Sequence, residues 1–171
     1  MPDTGAPWNI PYVAGTDLVA DWPTDSQTLA EAIADGLDAA TGVVQTVFGT
    51  TNTATNTTSA TYVTTSLTAT ITPTSNTSDV VVLVQLDSQT NSSNGGGART
   101  TIYRDATALD VTAYVHNDDA NDLTVGQTLM IQDSPATTSA TTYTVYILRT
   151  GGTGTASVEG RQNILLMEVN R

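Results

Sequence analysis

His116 is the only imidazole in the chain. A Ser-His-Asp hydrolase needs such a group held between a nucleophile and a carboxylate. Serines and aspartates abound, but no Gly-x-Ser-x-Gly turn presents a nucleophile, and His116 leads directly into Asn117-Asp118-Asp119. That context reads as a hairpin-loop histidine at the end of a strand. His116, Asp118, Asp119, Asn121 and Asp122 are also the densest run of oxygen and nitrogen ligands, of the kind a hard cation such as calcium takes. The glycine and the distal glutamate of an EF-hand loop are missing, and the same residues make a good solvated turn. No metal site is therefore assigned, and Asp118, Asp119 and Asp122 stand as the nearest candidates.

Paired carboxylates could hydrolyse a glycoside, but nothing in the spacing of the 17 acids selects a pair. Only Glu31, Glu159 and Glu168 are glutamates, and the first falls on a helix. Gly151-Gly152-Thr153-Gly154 has no lysine and lies between strand-like runs, so it reads as a hairpin loop rather than a phosphate cradle. Asn94-Gly95-Gly96-Gly97 reads as a loop too. Sequons at Asn56, Asn76 and Asn91 are expected by chance in so Thr- and Ser-rich a chain. The expectation is a protein with no catalytic residues and no cofactor.

The elements that would position any such group follow from composition. The chain has 171 residues and a formal charge of −12, with 35 threonines and no lysine. Residues 1–98 hold nine acids and no base, whereas 99–171 hold eight acids and all five arginines. No basic stripe exists to track nucleic-acid phosphates or to dock on anionic lipid. The acidic first half must face solvent, counterions or a basic partner. There is no cysteine, which excludes disulfides and thiolate metal sites. The start of the sequence has an acid where a signal peptide needs a basic stretch, and no run approaches membrane-spanning length. A soluble product without a classical secretion signal is expected.

Residues 1–23 read as an extended arm punctuated by Pro2, Pro7, Pro11 and Pro23, each of which disfavours helix at the residue before it. Trp8, Ile10, Tyr12 and Trp22 are large apolar groups on irregular backbone, and they must bury against this domain or another protein. Residues 24–41 predict a helix. Thr24 and Gln27 fit a capping box, and Leu29, Ile33 and Leu37 form a narrow apolar stripe. The stripe can lie on the body or line a seam with symmetry mates. Residues 42–59 start with a strand, Val43 to Phe48, then enter GTTNTATNTTSA, which reads as a Thr-rich linker.

From residue 60 to 171 the pattern is strands between turn clusters: 60–67, 68–72, 80–86, 99–103, 109–116, 127–131, 142–149 and 161–169. Thr, Val, Ile and Tyr dominate the runs, as pleated surfaces favour, and TPTSNTS, NDDAND and DSPATTS separate them. This predicts a mainly β chain: an antiparallel β-sandwich or jelly-roll-like domain with an N-terminal arm and one short helix. Three runs fail to alternate: Val80–Val84, Tyr143–Leu148 and Ile164–Met167. Their second faces need a cover, and another copy of the sheet is the economical one. An obligate homo-oligomer is expected, with Val81, Leu83, Tyr146, Leu148, Leu165 and Met167 at its interface.

The stretch APWNIPYVAGTDLVADWPTDSQTLAEAIADGLDAA resembles the N-terminal segment of many tailed-bacteriophage structural proteins. TYVTTSLTATITPTSNTSDVVVLVQ, with ARTTIYRD, TTYTVYILRT and the closing NILLMEV, resembles β domains of phage virion proteins, especially of marine and cyanobacterial phages. The Ile-Thr-Pro turn and Leu-Met-Glu are the sharpest matches. The resemblance implies a non-enzymatic virion component, often trimeric, of the head-decoration, cement or fibre kind, assembled in the host cytoplasm and carried on the extracellular particle. Trp8, Ile10, Tyr12, Trp22, Leu29, Ile33 and Leu37 would then attach it to capsid or tail proteins. The alternative is a receptor-binding knob for a host surface glycan, motivated by Tyr62, Tyr103, Tyr114, Tyr143 and Tyr146 among polar loops.

Overall fold

The computed structural model describes residues 22–40, 42–91, 96–117 and 121–170. The chain divides into two compact units, residues 1–42 and 43–171. The described part of the first is a helix, α1 (Trp22–Ala40). It starts two residues before the expected capping box, with Pro23 in the first turn, where a missing N–H leaves no bond unmade. The capping box is not formed. Thr28 Oγ1 donates to the Thr24 carbonyl at 2.8 Å, and Gln27 Nε2 donates forward to Glu31 at 2.9 Å rather than back to the cap.

The second unit is mainly β. Its nine strands are β1 (Val43–Thr51), β2 (Thr55–Thr57), β3 (Val63–Ile71), β4 (Asp79–Asn91), β5 (Gly96–Arg104), β6 (Thr107–Asn117), β7 (Leu123–Asp133), β8 (Thr141–Arg149) and β9 (Thr155–Val169). All pairings are antiparallel. One sheet has the order β1-β9-β4-β7 with β2 also on β9, and the other has the order β3-β8-β5-β6. Together they make an antiparallel sandwich, as the strand pattern predicts.

Alternation builds the core. In β3, Leu67, Ala69 and Ile71 point inward, while Thr68 and Thr70 point out and meet Thr144 and Thr142 of β8, hydroxyl to hydroxyl, at 3.0 and 2.8 Å. Val80, Val82 and Val84 of β4 and Ile164 and Leu166 of β9 fill the space between the sheets and are fully buried. Each such side chain contributes about 1.5–3 kcal/mol. The two runs expected at 60–67 and 68–72 are one strand. Between Thr64 and Thr68 its pairing with β8 shifts, and Thr65 Oγ1 donates to the Val145 carbonyl at 2.9 Å across that irregularity.

The sandwich begins at residue 43 rather than 60. Residues 49–59 are not a free linker: Thr50 and Thr51 continue β1, and β2 pairs with Val158–Ala156. Threonine lacks core-forming bulk, but its β-branch suits an edge strand. Gln162 Nε2, fully buried, pins the connection by donating to the Thr53 carbonyl at 3.0 Å. Gly49 makes the closure possible. A Cβ there would stand 2.7 Å from the Thr68 carbonyl oxygen and 2.9 Å from Ile164 Cγ2, so β1 meets β3 of the opposite sheet only because that position is bare. The loop 151–154 is not a hairpin: it carries the chain from β8 in one sheet to β9 in the other, with Gly151 and Gly152 at φ 77° and 63°.

Buried polar groups tie the layers together. Gln127 Oε1 accepts from Ser88 Oγ of its own sheet and Thr100 Oγ1 of the other, at 2.8 and 2.9 Å. Glu168 is fully buried and gathers the β3–β4 crossing. Its carboxylate accepts from Thr74 N–H and Oγ1, both at 2.8 Å, and from Gln45 Nε2 of β1 at 2.6 Å. Burial alone would raise its pKa. The hydrogen bonds from Gln45 and Thr74 outweigh that and hold it at about 2.

Candidate functional site

The two outer faces of the sandwich differ. On the five-stranded sheet, strand register places Phe48 opposite Leu165, Leu165 opposite Leu83, and Leu83 opposite Met130. This apolar row crosses all four main strands on the side away from the core. Val81 and Met167, also paired, extend it. Phe48 and Met130 are 59% and 68% exposed. A cleft of about 300 Å³ lies along the row, lined by Phe48, Leu83, Gln85, Arg161, Asn163 and Leu165. Its floor is apolar, and Arg161, Gln85 and Asn163 form a polar end.

The structure therefore brings together four of the six expected interface residues, Val81, Leu83, Leu165 and Met167. Tyr146 and Leu148 do not join them, because β8 lies in the other sheet. Phe48 and Met130 were not among the expected residues. Met130 lies between Leu129 and Ile131, which face the core, so its position on the solvent phase of an alternating strand was the available signal. Phe48 closes a short run whose register is set by β9, a strand more than 100 residues later.

The outer face of the four-stranded sheet carries the tyrosines. Tyr103 and Tyr146 stack with centroids 4.0 Å apart, and Tyr62 meets Tyr103 edge-on at 6.1 Å. Arg99 on β5 pairs with Tyr114 on β6, and its guanidinium carbon lies 5.7 Å from the Tyr114 ring centre. The Tyr62 hydroxyl lies near Arg99, and its pKa is raised, chiefly by burial. The Tyr114 and His116 rings are stacked, 23° from parallel with centroids 5.8 Å apart, and the Tyr114 hydroxyl is 2.9 Å from His116 Nδ1. Gly97 underlies them. A Cβ there would come within 2.7 Å of Tyr114 Cε2 and would also strike Thr150 Oγ1.

Tyr143 does not belong to this face. It is fully buried, and its hydroxyl donates to Asp133 at 2.7 Å. Burial and that carboxylate push its pKa well above the usual phenol value. Asp133 also accepts two bonds from Arg104, at 2.8 and 2.9 Å.

Of the expected cation ligands, Asp122 is exposed just before β7, and Asp118 and Asp119 lie outside the described residues. Of the expected attachment residues, Trp8, Ile10 and Tyr12 lie outside them as well, as do the side chains of Trp22 and Leu37. Leu29 is half-buried on α1, and Ile33 is 44% exposed.

No protein-family model matches the sequence, and no curated protein matches it. Among solved structures, the tripod of the baseplate of bacteriophage Tuc2009 is similar at 11% identity, over 95% of this chain and 98% of that one, with a TM-score of 0.35. So distant a likeness assigns no role.

Proposed function

We propose that this chain is a non-enzymatic structural protein of a tailed-bacteriophage virion. Its β body is a homotrimeric, exposed component of the head-decoration, cement or fibre kind, and its first 41 residues attach it to capsid or tail proteins. The apolar row Phe48–Leu165–Leu83–Met130 carries the self-association. A monomer in water gains nothing by presenting four large apolar side chains in register across one face, and such patches mark interaction surfaces. The resemblance of the N-terminal stretch and of the later strands to phage virion proteins supports the particle setting. We read the strand orders β1-β9-β4-β7 and β3-β8-β5-β6 as a double-sheet jelly roll, an architecture that viral capsid and lectin domains use and that permits the role without specifying it.

Light scattering on the full chain at micromolar concentration tests the association. The expected mass is three times 17.8 kDa, and a stable single-copy species overturns the reading. Deleting residues 1–41 is expected to leave a folded oligomer that no longer joins particles. Incorporation that survives this truncation removes the attachment role.

A further inference from the structure

We propose that Tyr114 and Arg99 form a binding site for a carboxylate-bearing saccharide on the outer face of the four-stranded sheet. The site is laid out by backbone register. Arg99 of β5 stands directly beside Tyr114 of the edge strand β6, and Gly97, two residues before Arg99, pairs with His116. Because Gly97 has no side chain, the Tyr114 ring settles over bare backbone. One side of the ring is taken by the sheet, while the residue stays 50% exposed. The hydrogen bond to His116 Nδ1 fixes the ring's position along the strand. A ring held in this way offers an apolar surface on which a pyranose can lie, with hydrogen-bonding groups at its rim.

Arg99 supplies the charge. It is exposed, and its guanidinium lies over the Tyr114 ring, 5.7 Å from the ring centre. Among the described residues the ion pair is Arg104 with Asp133, so no described carboxylate is paired with Arg99. On β6, Asp110 lies four residues from Tyr114, a strand separation of about 13 Å, beyond the roughly 8 Å over which charges act at physiological salt. A planar fork with no described carboxylate on it suits a ligand carboxylate, bound through two parallel N–H donors. A nucleic-acid strand would also stack on Tyr114, but its successive phosphates are tracked by a row of cations, and this face offers the single arginine Arg99.

Isothermal titration of the full chain with tetragalacturonate, its neutral methyl ester and a single-stranded oligonucleotide tests the proposal. Saturable binding of tetragalacturonate is expected. Arg99→Gln should weaken it by about tenfold while leaving the weaker binding of the ester unchanged. Tyr114→Ala should abolish both, and Tyr114→Phe should retain both, which separates loss of the ring from loss of the fold. Three results would overturn the site: no binding of tetragalacturonate up to about 10 mM, Tyr114→Ala binding as the wild type does, or the oligonucleotide binding in place of the saccharide. The site is on the opposite sheet from the apolar row, so a monomer that binds and a trimer that does not tell the two proposals apart.

Discussion

Leu83 and Leu165 stand directly opposite each other on β4 and β9, on the side of the sheet away from the core. Neither is needed to fill the interior, which Val82, Val84, Ile164 and Leu166 complete from the same two strands. A charge at this pair should therefore spare the subunit and break its association. Leu83→Asp is expected to keep the far-UV circular dichroism of the wild type. Its association should weaken by roughly a hundredfold or more, because a carboxylate desolvated without a partner is unfavourable by several kcal/mol. Sedimentation velocity over a dilution series checks this, and an undiminished oligomer would place the interface elsewhere.

Glu168 should govern the acid limb of stability. Its folded pKa of about 2 lies below the ordinary value of 4.5. The ionised form is therefore favoured by folding, and this contribution is complete above about pH 5. It fades as pH falls from there toward 2. Urea midpoints of the wild type should decline across that window. Glu168→Gln should be less stable at pH 7 by about 1–3 kcal/mol, because the donors of Thr74 and Gln45 lose their carboxylate. Its midpoint should also change less with pH, and parallel pH curves for the two proteins would refute the assignment.

At Gly49 the obstacle is backbone. Thr68 O cannot swing aside as the end of a flexible side chain would, so Gly49→Ala must separate β1 from β3. A loss of about 1–3 kcal/mol in chemical denaturation is expected. An alanine at Gly126, where the nearest atom is 3.5 Å away on the Asp87 side chain, should be milder and serves as the control.

Around Asp133 two partners contribute unequally. Tyr143→Phe removes one hydrogen bond and leaves Arg104 in place, a loss of about 1 kcal/mol. Arg104→Met leaves the largely buried Asp133 carboxylate without its cation and should cost more, about 2–4 kcal/mol. Thermal melts of the two variants give the order, and equal losses would show that the ion pair contributes little.

The strands were legible because each is short, rich in β-branched residues and flanked by turn formers, and the failure of alternation at Val80–Val84 and Ile164–Met167 pointed to a second apolar face. What the sequence hid depends on partners far along the chain. Residues 49–57 contain almost nothing apolar, so only their pairing with β9 makes them strand. The Tyr143–Leu148 run fails to alternate as the other two do, yet its outward side chains lie on the tyrosine face, and sheet membership cannot be read from a run in isolation. Tyr114 passed for one tyrosine among several until register set it over Gly97.

β9 occupies the slot between β1 and β4, yet it is synthesised after all eight other strands. On a ribosome, β4 can pair with β7 on one side, but its other edge, and β1 altogether, must wait for β9 to satisfy their amides. Three of the seven strand pairings, those of β1, β2 and β4 with β9, cannot close until residues 155–169 emerge, and such late closure makes for slow maturation. During that interval the nascent chain is most open to chaperones and to mispairing with its neighbours on the same message.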